Sequence, residues 1–124
     1  MIKKIKYIIE KEFVRCWPEG AMNAESIAEF VDEIASGEEE VSSIVKVLMD
    51  GRRATFAGRP EDLKSVVRKF REYNKKFELI KVAVILQNPY ETAISIILKE
   101  NLKQLPNISF GVFSTEQAAI KWLK

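Results

Sequence analysis

Three arginines, Arg52, Arg53 and Arg59, fall within the segment Asp50-Gly51-Arg52-Arg53-Ala54-Thr55-Phe56-Ala57-Gly58-Arg59, directly before Pro60-Glu61-Asp62 opens a helix. Cationic forks beside the free N–H groups of a helix start suit a phosphate or carboxylate, which they hold without transforming it. The competing reading is a solvated loop whose arginines meet Asp50, Glu61 or the acidic helix before it. Asp50 ends a strand pattern, where a phosphoacceptor receiver domain carries its aspartate. Such a site also needs an acidic pair after the first strand to hold Mg²⁺ and a lysine after the last. Trp17-Pro18 and Phe113-Ser114 occupy those ends, so Asp50 is expected to be a turn residue before Gly51. Cys16, the single cysteine, sits in an alternating stretch beside Trp17 with no base nearby and reads as a core thiol.

Other chemistries lack their residues. The chain has no histidine, which removes serine–histidine triads and imidazole metal sites. None of the five glycines makes G-x-G-x-x-G, and no Gly-Lys-Ser/Thr occurs. Carboxylates are plentiful, but none is paired in a stretch that reads as buried, where a general acid would find a raised pKa. The expectation is a non-enzyme with no catalytic residue, no metal and no cofactor.

Length and composition bound the rest. At 124 residues with 47% apolar side chains the chain is sized for one domain, 1–124, with one core. One cysteine excludes an internal disulfide. No apolar run reaches the roughly 18 residues of a membrane span, and no signal-peptide pattern opens the chain, so a cytoplasmic protein without stable membrane insertion is expected. The net charge of +2 is too small to argue for nucleic acid. It conceals a segregation: residues 18–45 carry −8, with no basic side chain, and residues 46–81 carry +6. Two helix faces of opposite sign either neutralise one another or form a polar surface that steers a partner.

The elements that must position these residues follow from periodicity. Residues 4–10 and 12–17 alternate like strands around Lys11, which predicts an antiparallel hairpin that Pro18-Glu19-Gly20 ends. Asn23 caps a helix over 24–36 whose stripe is Ile27, Phe30, Val31 and Ile34, and Gly37 stops it. Residues 43–49 read as a strand covered on both faces, and 50–59 as a loop. A second helix, 60–73, starts at Pro60, buries Leu63, Val66, Val67 and Phe70, and turns Lys64, Arg68, Lys69 and Arg71 outward. Residues 79–86 form the most apolar strand, expected centrally in the sheet. Asn88-Pro89-Tyr90-Glu91 starts a third helix with an apolar face of Tyr90, Ala93, Ile94, Ile97, Leu98 and Leu102, ended by Pro106. Residues 108–113 are the last strand. Ser114-Thr115-Glu116-Gln117 reads as a capping box for a final helix burying Ala118, Ala119, Trp122 and Leu123. The order ββαβαβαβα predicts an α/β fold. Its mixed, mostly parallel five-stranded sheet has an N-terminal antiparallel hairpin and four helices on its two faces.

With that order, three stretches resemble the STAS domain, the fold of bacterial anti-sigma factor antagonists and of the cytoplasmic ends of sulphate transporters. Pro18-Glu19-Gly20-Ala21-Met22-Asn23-Ala24-Glu25 resembles the family's turn into its first helix. Val47-Leu48-Met49-Asp50 with Thr55-Phe56 resembles its strand-Asp-loop segment. Phe110-Gly111-Val112-Phe113-Ser114-Thr115-Glu116-Gln117-Ala118 with Trp122-Leu123 resembles its closing strand and helix. More narrowly, the chain is similar to stand-alone SpoIIAA-like proteins of the antagonist type. The resemblance implies a regulatory, protein-binding role. Family members under kinase control carry an Asp-Ser-Ser-Gly-like segment at the start of the second helix. Here that stretch is Ala57-Gly58-Arg59-Pro60-Glu61, without a hydroxyl, and Thr55 lies upstream of it. A phosphate there would meet Glu61 and Asp62.

The leading expectation is thus an interaction module that docks an unidentified protein partner through Asp50, Arg52, Arg53, Thr55, Arg59, Lys64 and Arg68. The alternative is a protein that holds a small apolar or lipid-like ligand between helix and sheet. Its third helix, with Tyr90, Ile94, Ile96 and Ile97, would line the pocket or form a homodimer contact, since Ile96 lies off the main stripe.

Overall fold

Right-handed crossovers decide where the helices of this chain lie. In the computed structural model, which describes residues 6–10, 12–36 and 44–124, the main sheet has five strands. They are β1 (Lys6–Ile9), β2 (Val14–Trp17), β4 (Ile44–Asp50), β6 (Leu79–Ile85) and β7 (Ile108–Phe113), in that spatial order. β1 pairs antiparallel with β2, with Ile8 opposite Arg15, and all the other pairs are parallel. Each crossover steps in the same direction across the sheet, so three right-handed connections place their helices on one face. These are α1 (Ala24–Ser36), α2 (Lys64–Asn74) and α3 (Pro89–Leu102). They share one core with Val14, Val45, Val47, Ile80, Val82 and Phe110. α4 (Glu116–Leu123) follows the last strand and covers the opposite face, where Ala119 and Leu123 meet Leu48, Ala83 and Ile85.

The sequence expectations meet this structure with specific differences. The hairpin and all four helices form. β6 is interior, as expected of so apolar a strand, but β4 is the middle one. The reading of 50–59 as a loop is corrected: Ala54–Phe56 is a short strand, β5, pairing in parallel with β3, Gly20–Met22, in a second sheet. Gly20, expected to end a strand, begins this one with φ of 77°, a left-handed value natural to glycine. The second helix opens with a 3₁₀ turn, Pro60–Leu63, before α2 proper. The third helix buries a narrower stripe than expected. Ile94, Leu98 and Leu102 are buried, whereas Tyr90, Ala93 and Ile97 are exposed, because α3 lies at the sheet edge against β7 and β5. At α4, Thr115 Oγ1 accepts from Ala118 N at 3.2 Å, a one-sided cap in place of a box with Gln117, and Ala118 is exposed. The expected strand start at Lys4 and Ile5, the Lys11 turn, the Gly37 stop, Glu38, Glu39, Glu40 and Ser43 lie outside the described residues.

Candidate functional site

The arginine-bearing segment is braced by its own turn and from three neighbouring elements, β6, β3 and α3. Gly51 N donates to Ile85 O at 2.9 Å, and Ala54 N closes a turn onto Gly51 O at 3.2 Å. Gly20 N donates to Arg53 O at 3.1 Å and Ala57 N to Met22 O at 2.7 Å, which fixes both ends of β5. From α3, Glu91 Oε2 accepts from Phe56 N at 3.0 Å, and the Tyr90 hydroxyl donates to Gly58 O at 2.7 Å. Glu91, expected only as part of the helix-start signal, thus holds the backbone of this segment. Asn88 occupies the cap position by its backbone conformation, and its side chain makes no cap bond. With its backbone held this way, the segment is a rim over the carboxyl ends of the parallel strands, and its side chains are what it offers a partner.

The candidate residues divide into two groups. Asp50, Arg52 and Arg53 line a groove with Trp17, Pro18 and Glu19. Arg52 is engaged there: its Nε and Nη2 donate to the two oxygens of Asp50 at 2.8 and 2.7 Å. This bidentate pair holds the Asp50 carboxyl below the usual carboxylate range and raises the guanidinium. Lys64 and Arg68 are exposed on α2 and line a second groove with Arg71, facing Glu100 and Asn101 of α3 and Gln104 just after it. Thr55 and Arg59 are exposed on the rim. Arg53 reaches Glu19 only at 3.9 Å and Arg59 reaches Glu61 only at 4.0 Å, with side chains 84% and 83% exposed. At such distances and exposures these pairs hold little energy, so both guanidiniums are open to a competing carboxylate.

The acidic and basic helices also touch. Asp32 of α1 accepts from the Tyr73 hydroxyl at 2.6 Å and meets Lys69 Nζ at 2.8 Å, both on α2. Lys69 and Tyr73 together pull the Asp32 carboxyl below its ordinary range. One basic side chain of α2 is thereby neutralised, while Lys64, Arg68 and Arg71 stay turned to solvent.

Among the described residues Ser26 is the one buried polar side chain, held in a reciprocal cap with Asn23. The carboxylates whose pKa values move, Asp32 and Asp50, move down, opposite to what a general acid requires. Cys16 is buried, its thiol directed at Leu48 O at 3.6 Å, and burial pushes its pKa well above the ordinary thiol value. At the start of the second helix a carboxylate already stands: Asp62 Oδ2 accepts from Arg59 N at 2.9 Å. Strand order in the main sheet never reverses, so it has no topological switch point of the kind that binds nucleotides. Among the described residues no helix is long and apolar enough to cross a membrane.

The residues named for the ligand or dimer alternative are spread around α3, and Ile96 lines a groove with Leu86, Val112 and Phe113. Ile94 is buried in the core, while Tyr90, Ile96 and Ile97 are 48%, 47% and 37% exposed. The cavity of this face lies between the helices and the sheet, with residues of α1 and α2 and Ser95 and Leu98 of α3 among its walls.

No protein-family model matches the chain, and no curated protein matches it. Solved structures do. An uncharacterised protein of the DUF3478 family with a SpoIIAA-like fold, from Shewanella loihica PV-4, is similar with a TM-score of 0.62 at 15% identity, over 97% of this chain and 92% of its own. The anti-sigma factor antagonist SpoIIAA in its unphosphorylated form gives a TM-score of 0.53 at 13% identity, over 96% of each chain. The chain therefore has the SpoIIAA-like, STAS-like α/β fold.

Proposed function

We propose that this chain is a non-enzymatic, STAS-type regulatory module that docks an acidic protein surface through the rim 50–59 and the outward face of α2. The observation that carries the reading is the braced backbone of the rim, which presents Arg53 and Arg59 almost fully exposed and only loosely paired. Preorganisation of this kind lowers the ordering cost of association, and the continuation of positive charge through Lys64 and Arg68 favours a partner of opposite sign. The fold it shares with an anti-sigma factor antagonist supports a protein as that partner. The docking is passive. The segment before α2 has no hydroxyl, and Asp62 and Glu61 would repel a phosphate placed there.

Quantitative affinity purification from the source organism tests this, with wild type and the Arg53→Glu, Arg59→Glu, Lys64→Glu, Arg68→Glu variant as baits. The expected result is a protein enriched by wild type and lost from the variant, whose circular dichroism melt is unchanged. Equal recovery by both baits would overturn the assignment of the surface.

A further inference from the structure

The strand order leaves β7 at one margin of the main sheet, bonded to β6 alone among the described strands. In a parallel ladder alternate residues turn both backbone groups to the same neighbour. Ile80 N donates to Asn107 O and Leu86 N to Phe113 O, both at 2.8 Å, so the odd-numbered residues of β7 face β6. Phe110 and Val112 therefore direct N–H and C=O away from the sheet, where no backbone group of a described residue meets them. Such a margin is a template for another strand, and proteins commonly blunt it with charge, proline or a bulge. β7 has no charged residue and no proline, and its pairs with β6 run from Ile108 to Phe113 without a bulge. The opposite margin, β1, carries Lys6.

A groove follows this open edge. Lys99, Leu102 and Lys103 of α3 form one wall and Trp122 of α4 the other, with all of β7 between them. A second groove shares Lys99, Val112 and Phe113 and extends the first past the exposed Ile96. The two walls differ in character. On the α4 side the rings of Phe113 and Trp122 form a tilted pair with centroids 5.4 Å apart. On the α3 side Lys99 and Lys103 are exposed; Lys103 meets Glu100 at 3.0 Å, and Lys99 has no ion pair among the described residues. We propose that this edge binds an extended segment of a partner protein, which adds a strand to β7. Its acidic side chains would lie toward α3 and alternate with apolar ones toward Trp122. A second copy of this chain fits less well. Two-fold pairing of β7 with itself continues the sheet and sets α3 beside its own copy, so Lys99 and Lys103 would meet like charges. The edge shares no residue with the docking rim and stands whether or not that rim binds a protein.

Titration of the full chain with the peptide acetyl-Val-Glu-Val-Glu-Val-Glu-amide, as long as β7, tests it by amide hydrogen exchange read by NMR. The Phe110 and Val112 amides should exchange readily in the free chain and about tenfold more slowly at ten times the peptide's Kd. The lysine counterpart, acetyl-Val-Lys-Val-Lys-Val-Lys-amide, should bind at least about tenfold more weakly. Val112→Pro removes an outward donor and spares the β6 ladder, since an edge strand admits proline where the N–H faces solvent, and it should abolish binding. Should that variant unfold, the glutamate peptide N-methylated at every residue serves the same purpose from the other side, and it should not bind. Unprotected Phe110 and Val112 amides at saturation, or binding that survives either change, would overturn strand addition. Equal binding of the two peptides would overturn the acidic partner. Protection of both amides in a peptide-free chain that sediments as a dimer would overturn the proposal in favour of a second copy.

Discussion

Enlarging Val82 by one methylene, as Val82→Ile, separates a real void from tight packing by the sign of its effect. Val82 is buried and faces the cavity from β6. At about 24 cal/mol per Å³, an empty volume of about 110 Å³ represents at most about 2.6 kcal/mol of forgone packing. One buried methylene should recover about 0.8 kcal/mol of it. With an unfolding entropy of about 2.1 cal/mol/K per residue, that is a rise in Tm of about 3 °C. Urea unfolding followed by circular dichroism should give a higher midpoint at unchanged slope. The control is Ala83→Val on the α4 face of the same strand, where Ala83 is fully buried in a cluster with Leu48, Ile85 and Leu123. Overpacking there should cost about 1–3 kcal/mol. A loss of 1 kcal/mol or more in Val82→Ile would refute the void.

Acid should weaken the contact between α1 and α2. The folded-state pKa of Asp32 lies below its ordinary 3.8, so the stability it contributes is present above that value and is lost as pH falls through the folded one. Asp32→Asn should flatten the acid limb of a urea-midpoint profile below about pH 5, and an unchanged limb would contradict the reading. Gly111→Ala should destabilise by about 1–3 kcal/mol, since its Cβ would stand 2.7 Å from Phe113 Cε2 and 3.3 Å from Trp122 Cε2 in a packed aromatic pair. Thermal melts check it, and a neutral result would show that the pair yields. Cys16 should resist a thiol reagent at neutral pH until the chain unfolds, because it is buried and reaction needs the thiolate. Labelling as fast as a free thiol would contradict its place in the core.

How much of this was legible in the sequence depended on whether a feature was local. The helix 24–36 was readable because Asn23, the spacing of Phe30 and Ile34, and the strands around it agree. The β3–β5 pair was not, since Gly20–Met22 and Ala54–Phe56 are three residues each and find one another across more than thirty positions. Their turn-like composition gave no strand pattern. The face of α3 was overread because Tyr90, Ala93 and Ile97 share the inward stripe's periodicity, and only the position of the helix at the sheet edge leaves them uncovered. At the site, the arginines announced an anion-binding surface by type. Which of them are engaged depends on side-chain reach: Arg52 folds back onto Asp50 while Arg53 and Arg59 stand out. The role of Glu91 in holding Phe56 N, 35 positions away, is likewise a product of the fold. The cavity under Tyr73 had no sequence signature, since Ile27, Val31 and Phe70 look like ordinary core at helical spacing.

The most direct test of the central claim is the association rate of the recovered partner with the purified chain, measured by stopped flow across a range of ionic strength. Docking through Arg53, Arg59, Lys64 and Arg68 should give a rate that falls steeply with salt, and at low salt the fourfold glutamate variant should associate at least about tenfold more slowly. A rate indifferent to salt and the same for both proteins would contradict it.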